Sequence, residues 1–167
     1  GLSESDPGAI YPNQLYQQKS NSSFVDVAQE AGLDIPENGS FLWVDAENDG
    51  DMDLLWQNEH DFYLYVNQLG KFFPLFIGSN SSGKVGKLSL ADYDLDGDID
   101  VFAASMTGNL LLKNESGKYN LVAPERLGLS SKSLTANWVD YDNDGLVDLY
   151  TAPDGLYYQN LVHRFKA

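Results

Sequence analysis

Three acidic segments of nine residues repeat along this chain at a nearly fixed distance. They read DAENDGDMD from residue 45, DYDLDGDID from residue 92 and DYDNDGLVD from residue 140. Numbered from the first aspartate, each segment has an acid at positions 1, 3, 5 and 9 and a glycine at position 6. The starts lie 47 and 48 residues apart. Such self-similarity at a fixed period predicts a repeat architecture.

Short apolar runs flank every acidic segment. SFLWV (40–44), KLSLA (87–91) and TANWV (135–139) precede the segments, and LLWQN (54–58), VFAAS (101–105) and LYTA (149–152) follow them. A third run lies at 62–67, 109–114 and 155–160, and a fourth begins near Phe72, Tyr119 and Phe165, the last after a predicted turn LVHR. Runs of this length between turn residues read as strands. Four short strands in about 45 residues are typical of a β-propeller blade.

The chain therefore divides into repeats. Residues 13–33 resemble the end of a repeat, as seen again at 108–129. We predict an all-β fold of propeller blades with four antiparallel strands each, about three and a half blades in total, which is a partial propeller. The predicted parts are a lead-in segment (1–12), the end of a preceding blade (13–33) and three repeats (34–80, 81–129 and 130–167). Since propellers close with about 4–8 blades, we expect the rest of a larger propeller or a second copy to pack against this chain.

The negative charge of the chain is concentrated in the three segments. They hold 14 of the 25 acids and none of the 10 lysines and arginines, although the net charge is -15. Outside them, 11 acids face 10 bases. Without a basic patch, nucleic-acid binding is disfavoured. No apolar run approaches the ~18 residues of a membrane span, so no membrane insertion is expected.

The spacing of the acids suits a hard cation. Calcium takes oxygen ligands from carboxylates and backbone carbonyls, and side chains at positions 1, 3 and 5 of a tight loop can converge. Glycine at position 6 permits a positive φ, and position 9 closes the cage from the next strand. Position 7 is Asp51, Asp98 or Leu146, so its backbone carbonyl is the expected ligand. Three plain Asx-type turns are the alternative, but three in register favour metal. An EF-hand needs Glu at position 12, where Trp56, Ala103 and Thr151 stand.

The tripled D-x-D/E-x-D-G-x-x-D loop between strands resembles the FG-GAP/VCBS repeat family, which includes the integrin alpha-subunit propeller. The segment LYQQKSNSSFVDVAQEAGL resembles the cartilage acidic protein (ASPIC/UnbV-associated) branch. The resemblance implies three calcium ions in a secreted or cell-surface propeller that recognises a protein or carbohydrate ligand. Its metal positions map onto Asp45, Glu47, Asp49, Asp51, Asp53; Asp92, Asp94, Asp96, Asp98, Asp100; and Asp140, Asp142, Asp144, Leu146, Asp148. Glu47 is longer than the usual Asp or Asn and is expected to reshape the first site.

Catalysis finds little support in the sequence. The chain has no cysteine, no G-x-S-x-G elbow and no H-E-x-x-H helix. Its two histidines, His60 and His163, stand near predicted turns. We expect no enzyme here; an accessory, non-catalytic part of a larger secreted enzyme is the alternative to a recognition or scaffolding module.

Aromatic residues and glycosylation sequons leave further options. Trp43 and Trp138 precede their acidic segments by two residues and are expected in the core between blades, with sugar stacking as the alternative. Two tyrosine pairs on predicted third strands could pack or form a recognition face: Tyr63 with Tyr65, and Tyr157 with Tyr158. Four N-x-S sequons lie in predicted turns, at Asn21, Asn38, Asn80 and Asn114. They are glycan acceptors if the protein is secreted by a eukaryote.

Overall fold

The computed structural model describes residues 12–79, 86–129 and 132–152, together with the backbone of residues 161–164. The predicted lead-in before Pro12, the run at 155–160 with Tyr157 and Tyr158, the start at Phe165 and the sequon at Asn80 lie outside the described residues. The strands are β1 (Tyr16–Gln18), β2 (Phe24–Asp26), β3 (Ser40–Val44), β4 (Asp53–Gln57), β5 (Asp61–Gln68), β6 (Lys71–Ser79), β7 (Lys87–Ala91), β8 (Asp100–Ala104), β9 (Leu110–Glu115), β10 (Lys118–Val122), β11 (Thr135–Val139), β12 (Asp148–Ala152) and β13 (Leu161–Arg164).

The strands form consecutive antiparallel sheets. The first sheet has the order β3-β4-β5-β6, the second β7-β8-β9-β10 and the third β11-β12-β13, and β1 pairs with β2 in an N-terminal ribbon. Each sheet is a meander, because every strand pairs with its neighbour in the sequence. The prediction of an all-β fold built from four-stranded antiparallel blades in a partial propeller is confirmed.

The third sheet departs from the expected register. The run LVHR, predicted as a turn, is strand β13, which pairs Leu149 with His163. The corresponding pairs, Leu54 with Tyr65 and Val101 with Leu112, are 11 residues apart, against 14 here. LVHR and the run before it both have residues that favour strands, so either could pair with the edge of β12. Strand propensity reports how well side chains fit a pleated surface and does not specify register.

The core lies between consecutive sheets. Since side chains alternate across a strand, β8 sends Val101 and Ala103 towards the first sheet and Phe102 towards the third. Leu55 and Leu64 of the first sheet pack against Val101 and Ala103. Leu149 of the third sheet packs against Phe102. Fully burying one such large apolar side chain contributes about 1.5–3 kcal/mol, so these interfaces hold the sheets side by side.

Two short helical segments follow outer strands and end in the same way. The α-helix α1 (Ala28–Ala31) follows β2, and a 3₁₀ helix (Pro124–Leu127) follows β10. Gly32 and Gly128 terminate them in the left-handed region, with φ of 85° and 75°. A buried leucine comes next in each case, Leu33 or Leu129. The similarity between residues 13–33 and 108–129 noted in the sequence is thus also a similarity of local structure.

In the described part of the chain, no helix has the length and apolar character needed to cross a membrane.

The topology brings the acidic segments to one end of the sheets. Each of them joins the first strand of a sheet to the second, as the hairpin loops β3–β4, β7–β8 and β11–β12. Because consecutive sheets pack with β3 against β7 and β7 against β11, the three loops follow one another along that end. They are called the first, second and third loop below.

Candidate metal centres

The first aspartate of each loop holds the turn closed. Its two carboxylate oxygens accept the backbone N–H groups of positions 5 and 6 at 2.9–3.1 Å in all three loops. The side chains that do this are Asp45, Asp92 and Asp140. Each oxygen has a second lone-pair direction, so these carboxylates can also face a cation.

The last aspartate of each loop is buried. Asp53, Asp100 and Asp148 have at most 2% of their surface exposed. One oxygen of each accepts the N–H of position 2 at 3.0–3.2 Å. The other oxygen of Asp53 accepts the N–H of Asn67 at 2.7 Å, and that of Asp100 accepts the N–H of Asn114 at 2.8 Å. These hydrogen bonds fix the carboxylate, but a buried negative charge also calls for a positive partner.

Two backbone positions in each loop are left-handed. Position 6 is glycine with φ of 92°, 94° and 88°, as predicted. Position 4 also has a positive φ, at Asn48 (56°), Leu95 (59°) and Asn143 (57°). Asparagine tolerates this region well, whereas leucine carries the full steric cost of its Cβ. The sharp turn that lets positions 1, 3 and 9 converge therefore depends on both residues.

Carboxylates gather in two of the three loops. Asp92, Asp94 and Asp100 each offer an oxygen within 4.8 Å of the others, and so do Asp140, Asp142 and Asp148. Calcium–oxygen distances of about 2.3–2.6 Å place ligands on opposite sides of one ion about 5 Å apart. Positions 1, 3 and 9 of the second and third loops therefore fit a calcium-sized ion.

The first loop is arranged differently. No such group that includes Glu47 occurs among the described residues. The stem of Glu47 lies against the turn of the second sheet, since a Cβ at Gly117 would come within 2.6 Å of its Cγ. Burial, and then the charges of Asp53, Asp49 and Asp45, raise the pKa of Glu47. The longer side chain thus reaches past the position that Asp94 and Asp142 occupy.

Positions 5 and 7 have other contacts. The position 5 carboxylates accept the N–H of position 7 at 2.9–3.0 Å; they belong to Asp49, Asp96 and Asp144, and the donors are Asp51, Asp98 and Leu146. The side chain of Asp98 turns away from the loop interior: it accepts from Asn48 Nδ2 at 2.8 Å and from the N–H of Ser116 at 2.7 Å. The Asp98 carboxylate is thus engaged elsewhere, and the backbone carbonyl at position 7 stays a prediction.

Lys113 is a loop contact that the sequence analysis missed. It lies on β9, and its Nζ hydrogen-bonds to Asp94 and lies 3.3 Å from Oδ2 of Asp96. The hydrogen bond to Asp94 raises the pKa of Lys113 well above its usual value. The sequence signal was a charge difference between repeats. When the third strands are aligned, Lys113 takes the position that Val66 has in the first repeat.

The asparagines one residue before the ends of β5 and β9, Asn67 and Asn114, were also missed as functional residues. Asn114 is fully buried, and its Nδ2 donates to the carbonyl of Ala46 in the first loop at 2.8 Å. A glycan on this nitrogen is incompatible with the folded structure, whereas Asn21 and Asn38 are exposed. The signal was the recurrence of asparagine at 67, 114 and 160.

In the second loop, burial raises the pKa of the Asp100 carboxyl to about 6, although hydrogen bonds from Asn114 and Tyr93 act in the opposite direction. The charges of Asp94 and Asp96 raise it further. An ion among these carboxylates would reverse that effect, because it favours the charged form.

The aromatic predictions have mixed outcomes. Trp138 packs against Phe102 between the second and third sheets, as expected. Trp43 meets the edge of Phe72 but keeps 37% of its surface exposed, so its assignment to the core is wrong. Tyr63 and Tyr65 pack against Trp56. His60 is exposed at a turn.

Comparison with known proteins adds a family match. A family model described as FG-GAP-like repeat matches residues 45–103 and 92–151. Cartilage acidic protein 1 of Mus musculus is 28% identical over 157 residues, which is 83% of this chain and 24% of that protein. The Homo sapiens protein of the same name is 27% identical with the same coverage. That of Xenopus tropicalis is 29% identical over 99 residues, 54% of this chain and 15% of the relative. The chain thus spans about a quarter of the mouse and human relatives it matches.

Proposed function

The chain belongs to the FG-GAP-like repeat family, and on this premise we propose that it is a calcium-stabilised β-propeller module of a secreted or cell-surface protein. Its role is to bind a protein or carbohydrate ligand or to act as a scaffold. No catalytic step is assigned to it, because metal ligation accounts for the paired carboxylates that acid–base chemistry would otherwise use.

The buried aspartate at position 9 carries this proposal. Three times at the same place in the fold, a carboxylate with at most 2% exposure stands beside further acids of its own loop. Removing a carboxylate from water is expensive unless a cation compensates it. Acids would not be buried in this way for the sake of a turn alone, since the turn is already closed by position 1.

Calcium suits the ligand set better than other ions. The ligands available in the loops are carboxylates and backbone carbonyls, which hard cations prefer, and the chain has no cysteine. Calcium accepts irregular shells of six to eight oxygens, whereas magnesium demands a near-ideal octahedron. When bound, the ion would supply the positive charge that ties position 9 to positions 1 and 3. We assign one ion to each loop, three in all, with Glu47 swinging inward to complete the first site.

The family relationship supports an extracellular location. Sites in extracellular modules bind calcium at roughly 0.1–1 mM, which suits a medium rich in this ion. The relatives carry the name cartilage acidic protein, and cartilage is largely extracellular matrix.

The face of the first sheet that points away from the second is the proposed contact with the rest of a larger propeller. Trp56 and Tyr65 stand 47 residues before Ala103 and Leu112 of the second sheet. In the second sheet, these two residues are covered by Leu55, Phe62 and Leu64 of the first sheet.

In the first sheet the cover is incomplete. Leu33 and Ile35 bury Trp56, but the half-buried Tyr63 and Tyr65 still line an open cleft of about 400 Å³. β1 and β2 are the only strands described before β3, and they correspond to the two outer strands of a blade. We assign the cleft to the two inner strands of that preceding blade, supplied by another part of the same protein.

Sedimentation of the isolated chain at micromolar concentration tests this assignment. An aromatic cleft left partly open drives association, so we expect reversible self-association that Tyr65→Lys reduces. A defined symmetric dimer would instead make a second copy the occupant. A well-behaved monomer that Tyr65→Lys leaves unchanged would contradict the assignment.

Calcium titration by calorimetry tests the proposed function itself. We expect three equivalents of calcium to bind, and Asp142→Ala at position 3 of the third loop to remove one of them. Asn143→Gly is the matched control, since it changes the neighbouring residue without removing a carboxylate, and glycine keeps the left-handed backbone of position 4. Absence of calcium binding to the wild-type chain at millimolar concentration would refute the proposal.

A further inference from the structure

The second loop already holds a positive charge of its own. Lys113 Nζ hydrogen-bonds to Oδ2 of Asp94 and lies 3.3 Å from Oδ2 of Asp96. These are positions 3 and 5 of the loop, and Asp94 belongs to the carboxylate group that fits an ion. The lysine side chain has 25% of its surface exposed, so it lies along the loop and does not extend into solvent.

The backbone holds Lys113 in this place. The next residue, Asn114, donates its N–H to Asp100, which is position 9 of the same loop. β9 also pairs with β8, whose first residue is Asp100. The lysine is therefore attached to the strand that fixes the buried carboxylate, and its ammonium group reaches the loop from there.

The first repeat lacks this cation, since Val66 precedes the asparagine that corresponds to Asn114. In the third repeat the backbone of Arg164 pairs with Asp148 at position 9, so a basic residue stands on the strand next to that loop as well. The N–H of Asn67 donates to Asp53 just as that of Asn114 donates to Asp100, so the backbone arrangement is shared between the first and second repeats. Only the charge differs.

We infer that Lys113 is a tethered counter-ion which occupies the second loop in the absence of calcium and has to leave Asp94 and Asp96 before calcium can bind. This inference depends on the proposed calcium function. A cation that competes for the same carboxylates lowers the affinity for calcium by the free energy of the contact it gives up. The second loop therefore binds calcium at a higher calcium concentration than it would if Lys113 did not contact its acids.

The lysine also explains how the second loop can stay folded without metal. One ammonium group offsets part of the repulsion among its acids, whereas the first loop has five acids and no lysine in contact among the described residues. Calcium then replaces one positive partner by another at this loop. At the first loop it would supply a charge that is otherwise missing.

Lys113→Met tests the inference, because methionine keeps much of the aliphatic stem and removes the charge. Site-specific readouts are the amide signals of Gly50, Gly97 and Gly145 in an NMR titration with calcium, one from each loop. We expect the midpoint at Gly97 to fall about two- to fivefold, the range expected for the loss of an exposed ion pair. Gly50 and Gly145 should keep their midpoints. Lys118→Met, an exposed lysine on the next strand, is the control for net charge and should leave all three midpoints unchanged.

The outcomes separate this inference from the function on which it depends. A Gly97 response in Lys113→Met but not in the wild type would support the inference in its strongest form. An unchanged or higher Gly97 midpoint in Lys113→Met would overturn it and leave calcium binding intact. No response of any glycine in either protein would refute calcium binding, and the inference with it.

Discussion

Asn48 Nδ2 donates a hydrogen bond of 2.8 Å to Oδ1 of Asp98, and this contact joins the first acidic loop to the second. The same nitrogen lies 3.3 Å from the carbonyl oxygen of Gly97. Position 4 of one loop thus bonds to positions 6 and 7 of the next. The second and third loops do not repeat the contact, because their equivalent residues are Leu95 and Leu146.

This contact predicts a stability difference between two matched variants. Asn48→Ala and Asn143→Ala both remove an asparagine at a left-handed position 4, but only the first removes the bond between loops. A hydrogen bond of this kind contributes about 0.5–1.5 kcal/mol. Denaturant unfolding should therefore show that Asn48→Ala loses about 1 kcal/mol more than Asn143→Ala. Equal losses would mean that the bond contributes nothing to stability.

The carboxylates of the second loop should differ in their effect on calcium affinity. Asp94→Ala removes a member of the carboxylate group and should abolish the calcium response of Gly97. Asp98→Ala should have a small effect on that response, because the Asp98 side chain bonds to Asn48 and Ser116 outside the loop interior. Calorimetry and the Gly97 amide signal measure both variants. Equal loss of affinity would refute the assignment of the backbone carbonyl at position 7.

Leu95 offers a stabilising substitution. Its φ of 59° is unfavourable for leucine, and 55% of its surface is exposed, so little packing would be lost. Leu95→Asn should raise the free energy of unfolding by about 0.5–1 kcal/mol, because asparagine tolerates the left-handed region. Leu134→Asn, at a leucine of similar exposure without a positive φ, is the control and should bring no gain. A loss of stability in Leu95→Asn would show that leucine has a packing role here.

The raised pKa of Asp100 predicts the pH dependence of the calcium-free protein. In the folded state this carboxyl titrates at about 6, against 3.8 for the ordinary group. Between these values the folded state binds a proton that the unfolded state does not, so stability falls as the pH rises from about 4 to about 6. Thermal unfolding with a chelator should show this fall, and excess calcium should reduce it. A melting temperature that rises over this interval without calcium would contradict the account.

The sequence was sufficient to predict the architecture, for physical reasons that particular residues illustrate. Strands β3, β7 and β11 have the predicted bounds, because short apolar runs between turn residues leave little choice of register. Gly97 has the positive φ that its place in the loop demands. These features depend on local chemistry, which repeats with the sequence.

Features that depend on contacts between distant residues could not be predicted in the same way. The approach of Lys113 to Asp94 needs the register of β9 against β8, together with a choice between solvent and the loop. The displacement of Glu47 depends on Gly117 in the next sheet, 70 residues away. The pairing of β13 with β12 is likewise a choice between two runs of similar strand propensity.

The most direct test of calcium as a structural element is thermal unfolding with excess chelator and with 1 mM calcium. For an assumed dissociation constant of ~0.1 mM, each site would add about 1.4 kcal/mol, so three would add about 4 kcal/mol. For a chain of this size that corresponds to a rise of about 8–16 °C in melting temperature. We predict a rise in this range, and a smaller rise in Asp142→Ala. Identical melting temperatures with chelator and with calcium would contradict the account.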